Sequence, residues 1–234
     1  MTPVDVQASS EERRQQFCAR VAGFLFLWLI VTGISNLLIE SNVAGSGAFA
    51  ETARRIVASE HLYRLGLLCG LIETMSALTL AFALYVTLKP VDPLLAQFAM
   101  LWRVGESFLG AVGVMLGFFK LQLYTSTQPG DGFGAGQMGA LADLLGHGGS
   151  DISAIFFSIG SILFFYLFLK SRYIPKILSA FGLFASIVVA IMLFGLLIFP
   201  EHARTLQYGW APMALAEVTT GIWLMGFGVK TQTA

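Results

Sequence analysis

Charge is scarce in this chain. Of its 234 residues only 12% are Asp, Glu, Lys or Arg, about half the share that a water-soluble domain usually carries. The acidic and basic residues balance at 14 each and leave no formal net charge, so neither nucleic acid nor an acidic surface is favoured as a partner. There are two cysteines, Cys18 and Cys69, one before the first apolar run and one inside the second. That placement does not suggest a disulfide, and no CxxC or Cys/His spacing prepares a metal site. No strands are expected, so no glycine-rich phosphate loop follows one, and no cofactor is expected from any motif.

What remains is apolar. Hydrophobic residues make up 56% of the chain, Phe alone occurs 20 times, and the mean hydropathy is +0.75. The expected solvent is therefore a lipid bilayer. A membrane helix needs roughly 20 apolar residues. Six runs approach or meet that length: Val21–Ile39, Tyr63–Leu88, Leu94–Phe119, Ile152–Leu169, Ile177–Phe199 and Trp210–Val229. Pro90 and Pro93 close one connection and Pro175 another, where helices stop or restart. The predicted fold is all-α: residues 1–19 form a cytoplasmic N-terminal segment and residues 20–230 a single domain of six transmembrane helices. A signal peptide is the rival reading of the first run, with Ala48-Phe49-Ala50 resembling a cleavage site. The run is too long for that, and Glu40 interrupts it before the small residues, so it reads as a true first helix.

Orientation follows from the connections. Arg13, Arg14, Arg20, Lys89, Lys170, Arg172, Lys176 and Lys230 fall on one side, against Arg54, Arg55, Arg64, Lys120 and Arg204 on the other. The positive-inside rule then puts both termini in the cytoplasm. Two cytoplasmic connections share the pattern Tyr-x-x-Leu-Lys followed by proline, at Tyr85–Pro93 and Tyr166–Pro175. A duplicated hairpin would produce that pattern, and so would ordinary interfacial anchors with a helix-starting proline. The connection Glu40–Leu62 is polar and mixed in charge. In the connection Lys120–Asp151, Met138, Leu141, Leu144 and Leu145 fall on one helical face and predict a short helix that lies on the membrane surface or caps the bundle.

Against this background the few charges inside the runs stand out. At about 1.5 Å per helical residue, Glu73 lies roughly 15 Å, Glu217 roughly 10 Å and Glu106 roughly 20 Å from the outer end, with Arg103 one turn deeper. Arg103, Glu106, Gly110, Gly113 and Gly117 recur in steps of three and four, as do Gly66, Gly70, Glu73 and Ala77, and Glu217, Gly221, Leu224 and Gly228. Small residues mark faces where helices approach closely in lipid, so the charges are expected to face into the bundle. An isolated charge at mid-membrane costs on the order of 3 kcal/mol on the insertion scales. One guanidinium can serve two carboxylates. Three acids against one Arg still leave two negative charges in excess. Either some carboxyls hold protons or a cation or amine ligand sits among them. A purely structural ion network that fixes helix register remains the alternative.

All three histidines, His61, His147 and His202, fall near the expected outer face. His147 and Asp151, four apart, form the one pair that a helical turn would present to a metal. The glycines around His147 weaken that expectation, and no HExxH is present.

The segments Arg20–Leu27 with Val31-Thr-Gly-Ile34, Leu62-Tyr-Arg-Leu-Gly66 with Glu73, Leu84–Pro90, Trp102-Arg-Val-Gly-Glu106, Lys170–Leu178 and Ala216–Leu224 occur in an order and spacing that resemble the bacterial membrane proteins grouped as domain of unknown function 4386. The resemblance implies a bacterial, single-domain, multi-helix membrane protein, and the expected location is the inner membrane. It supplies no activity, and it places Glu73, Arg103, Glu106 and Glu217 at the family's polar positions. His61 stands where an amide such as Asn is expected.

Three functions stay open. The leading one is proton-linked binding or transport of a small molecule or ion through Glu73, Arg103, Glu106 and Glu217. The second is a metal-dependent hydrolase at the membrane boundary, using His147 and Asp151. The third is an accessory subunit, as a homo-oligomer or within a larger membrane complex.

Overall fold

The computed structural model describes residues 3–43, 49–126, 135–147 and 150–230, without the side chains of residues 3–9, 40, 41, 126, 135, 146, 147, 150 and 151. The helices are α1 (Pro3–Val43), α2 (Phe49–Ala58), α3 (Glu60–Leu88), α4 (Pro93–Ser126), α5 (Ala135–His147), α6 (Ser150–Ser171), α7 (Lys176–Ile198), α8 (Ala203–Leu206) and α9 (Trp210–Phe227). No strand occurs among the described residues. Helices are what a spanning chain must form, because lipid offers no partner for backbone N–H and C=O groups. Among the described residues five segments are long and apolar enough to cross a membrane: Ser10–Ile39, Glu60–Leu88, Pro93–Thr125, Ile152–Ser171 and Lys176–Ile198. The protein is thus an all-helical, multi-span membrane protein. The sixth expected run forms α9, whose 18 residues include Pro212 and Glu217 and which is not one of those five.

Local signals set the helix ends. The carboxylate of Asp92 accepts the Leu95 N–H at 3.1 Å, and Pro93 follows at the first helical position, where a missing N–H costs nothing. α6 stops at a residue in the left-handed region, Arg172 with φ 57°, whose N–H still reaches the Phe168 carbonyl at 3.0 Å. Pro175 then precedes the first turn of α7.

The chain separates into two compact units. The first comprises Met1–Ile30, Ser76–Glu106 and Ala154–Ala234. Its core is built from Leu84, Leu88, Phe165, Phe168, Val189, Met213 and Leu224, all buried. α7 packs along α9. α1 crosses α9 at two glycines. A Cβ on Gly23 would stand 2.7 Å from the Gly221 carbonyl oxygen, and one on Gly221 3.0 Å from that of Gly23. Backbone meets backbone there, so neither glycine leaves room for a side chain.

One end of this unit is stitched by hydrogen bonds. Gln15 Nε2 donates to the Thr87 carbonyl at 2.8 Å. The Gln16 amide donates to the Val229 carbonyl and accepts the Val229 N–H at 3.1 Å. The Lys230 N–H reaches Tyr173 O at 3.0 Å, and Lys170 Nζ lies 3.2 Å from Asp92 Oδ2. The connections expected on one membrane side therefore meet at one end of the unit.

The second unit comprises Val31–Met75 and Ser107–Ser153. α2 packs on α5, with Ile56, Val43, Leu121, Tyr124 and Ala142 buried together and the Phe49 and Tyr124 rings stacked at 5.1 Å. One expectation needs correction here. Glu40–Leu62 reads as a polar connection, yet it contains α2, whose Thr52 and Ile56 are buried one turn apart. α5 is the short helix expected in Lys120–Asp151. Of its expected apolar face, Met138 and Leu145 are half-buried, while Leu141 is 43% and Leu144 70% exposed, and the small Ala142 is buried.

Two predictions follow from the packing. Gly23→Ala forces a methyl group into the α9 backbone and is expected to destabilise by about 1–3 kcal/mol, whereas Gly226→Ala, which meets nothing within 4 Å, is expected to be neutral. Reversible unfolding in mild detergent checks this, and equal effects of the two would remove the crossing from the account. The Leu95 N–H, and after it Lys170, hold the Asp92 carboxyl below the usual carboxylate range. Its stabilisation is therefore complete above about pH 4 and is lost as pH falls through the folded-state value. Asp92→Asn is expected to lower the melting temperature at neutral pH, with the difference closing in acid. A gap that stays constant across a pH series contradicts this.

Candidate functional site

The apolar run of α4 is interrupted by Trp102-Arg103-Val104-Gly105-Glu106, and this stretch packs against α6 in the first unit. Arg103 is buried, with 3% of its side chain exposed, and its Nη1 lies 3.0 Å from Glu106 Oε2, whose side chain is 16% exposed. The spacing of three residues puts both on one helical face. α6 supplies the rest of the surroundings. The Arg103 guanidinium sits over the Phe157 ring, 4.6 Å from its centroid, and Phe157 in turn packs on Trp210 at 5.8 Å. Three residues on, Gly160 faces the aliphatic stem. A Cβ there would stand 2.8 Å from Arg103 Cγ and 2.9 Å from Cδ.

Glu217 of α9 belongs to the same unit. Its partly buried carboxylate lies in the fields of both Arg103 and Glu106, attracted by one and repelled by the other. Thr220, one turn on, is fully buried, and its hydroxyl makes no hydrogen bond among the described residues. Within the first unit, then, one guanidinium faces two carboxylates. Two surface grooves flank α4, one of about 430 Å³ lined by Leu78, Thr79, Phe82, Met100 and Val104, the other of about 200 Å³ lined by Phe98, Leu101, Trp102 and Phe156. Both are apolar, and neither is lined by the charged residues.

Glu73, the fourth expected residue, lies in the second unit. It is half-buried, and its Oε1 would stand 3.6 Å from a Cβ on Gly33 of α1. Asn36, one turn along α1, faces Gly66 through Oδ1 and Gly70 through Nδ2, each 3.7 Å from a would-be Cβ. The glycine face of α3 therefore meets α1 at Asn36 and, closer still at Gly66, at Ile39, whose Cγ2 would stand 3.1 Å from the added Cβ. On the α4 side, Gly110 and Gly117 take up Thr74 and Leu67, at 2.8 and 2.5 Å from their would-be Cβ atoms, whereas Gly113 meets nothing.

The histidine region yields less. The side chains of His147 and Asp151 lie outside the described residues. His61 is exposed. His202 has Nδ1 3.3 Å from Glu201 and stands edge-on to Phe199. Among the described residues no three of His, Cys, Asp and Glu come together as a metal site. Phe157, Gly160, Thr220 and Asn36 were not singled out by sequence pattern. Gly160 alone carried a signal, as the only glycine inside the fourth apolar run.

Removing one partner of a buried ion pair leaves the other charge stranded and costs about 3–5 kcal/mol. Arg103→Leu is expected to destabilise on that scale, and Arg103→Leu combined with Glu106→Gln is expected to recover part of the loss. A double-mutant cycle on unfolding free energies measures this, and strictly additive effects would mean that the two side chains do not interact.

No curated protein and no solved structure matches the chain. The family model described as Domain of unknown function (DUF4386) matches residues 21–228. That span covers α3, α4, α6, α7, α9 and most of α1, and with them Glu73, Arg103, Glu106 and Glu217. The chain belongs to the DUF4386 family.

Proposed function

We propose that this is a six-pass protein of the bacterial inner membrane, with both termini cytoplasmic, that binds a proton or a small monovalent cation at Arg103, Glu106 and Glu217. Helix α9 is the sixth span, its polar residues tolerated because Glu217 faces protein. The excess of Lys and Arg on the terminal side supports the orientation. The observation that carries the binding reading is the 3.0 Å Arg103–Glu106 pair with Glu217 in its field. Two carboxylates against one guanidinium leave one negative charge over, in surroundings where an unbalanced charge is costly. A proton neutralises it, and a cation that enters must displace that proton. Glu73 is a separate acid of the second unit, against the α1 face that carries Gly33 and Asn36. Movement of helices along the glycine faces would alternate access. The hydrolase reading rests on His147 and Asp151, and nothing described about them supports it.

The test is proton release from purified protein in weakly buffered detergent on addition of Na⁺, K⁺ or methylammonium, with N-methylglucamine as the ionic-strength control. The wild type is expected to release about one proton per chain with at least one of the three. Glu106→Gln and Glu217→Gln are expected to abolish the release while remaining folded and monodisperse. A wild type silent to all three cations overturns the reading. Glutamine variants that fail to assemble make the cluster scaffolding.

A further inference from the structure

We infer that Gly160 and Phe157 of α6 are positioning residues: together they hold Arg103 as the fixed counter-charge of the acid site, and so set how strongly that site demands a cation. The inference rests on the binding reading above and extends it to a helix that contributes no charge.

Two independent contacts carry it. Gly160 is buried where α6 passes α4, and the space a Cβ would occupy lies 2.8 and 2.9 Å from Arg103 Cγ and Cδ and 3.3 Å from the Ala99 carbonyl oxygen. The stem of Arg103 therefore fills the place of a side chain on α6. An alanine methyl cannot fit unless the stem moves, because the Ala99 backbone closes the other side. One turn earlier, Phe157 offers its ring face to the guanidinium at 4.6 Å. The ring is backed by Trp210 at 5.8 Å, which limits its freedom to follow a displaced guanidinium.

Slot and ring thus fix two points of one side chain, the stem and the planar head, and aim the head at Glu106 at 3.0 Å. A freely moving arginine would spread its charge over alternative partners. A held one neutralises one carboxylate's worth of charge and leaves the remainder to the ligand. α6 also carries a natural control. Phe165 lies against Gly182 of α7 so closely that a Cβ on Gly182 would collide with the ring, and that contact touches none of the charged residues.

The experiment uses the full chain labelled with ¹⁵N-arginine. The Arg103 Nε–H signal is assigned by its loss in Arg103→Lys, and cation-driven proton release is measured in parallel. Gly160→Ala and Phe157→Leu are each expected to shift the Arg103 signal and to change the half-saturating cation concentration by about 10- to 100-fold. Gly182→Ala is expected to lower thermal stability and leave both readouts at wild-type values. Phe157→Leu adds no bulk, so it keeps the test open if Gly160→Ala does not fold. An unmoved Arg103 signal overturns the inference. So does a moved signal with unchanged half-saturation, or a Gly182→Ala variant that reproduces both effects. A wild type silent to every cation sinks the binding reading instead, while the Arg103 signal still decides whether Gly160 positions the guanidinium.

Discussion

A guanidinium cannot be left facing hydrocarbon. Within the first unit that single constraint organises the contact of α4 with α6. Arg103 keeps its charge in protein only if its helix turns that face toward a neighbour, if the neighbour makes room for the stem, and if something carries compensating charge or electron density. Gly160 provides the room, Phe157 the ring, and Glu106 the opposite charge. Each belongs to a different level of the hierarchy: a backbone without a side chain, a packing surface, an electrostatic partner. The register of α4 on α6 follows from satisfying all three at once.

Small residues serve two ends in this chain. At the Gly23–Gly221 crossing they bring two backbones together, which in lipid substitutes for the hydrophobic drive that acts in water. Along α3 and α4 of the second unit they receive side chains instead: Gly110 takes Thr74, Gly117 takes Leu67, and Gly66 takes Ile39. Knob and socket are then supplied by neighbouring helices without large apolar residues on both sides.

Much of the architecture is legible in the sequence because lipid imposes long apolar runs, and run length is a one-dimensional property. Five of the six expected runs are apolar enough to span, and the charged pair in α4 is one turn apart as its spacing requires. Two kinds of feature are not legible. α2 hides in a polar connection because its ten residues are on average no more apolar than polar, although their apolar residues gather on one face with Ile56 inward. α5 hides its contact face because a buried alanine, Ala142, outweighs two exposed leucines, which hydropathy alone ranks the other way. For the charged residues, sequence depth suggested that Glu73, Arg103, Glu106 and Glu217 lie near one another; the last three fall in one unit and Glu73 in the other. Nothing in the sequence paired Phe157 or Gly160 with Arg103, because a pairing between helices more than 50 residues apart is not a periodicity.

The double hydrogen bond between Gln16 and Val229 joins residues 213 positions apart. Such a bond cannot form before Val229 has been made: α1 enters the bilayer long before α9 leaves the ribosome. Until α9 arrives, the Gln16 amide and the glycine face around Gly23 must wait on lipid, water or a transient insertion partner. Closure of the first unit therefore has a large loop to close, and α9 acts as its latch.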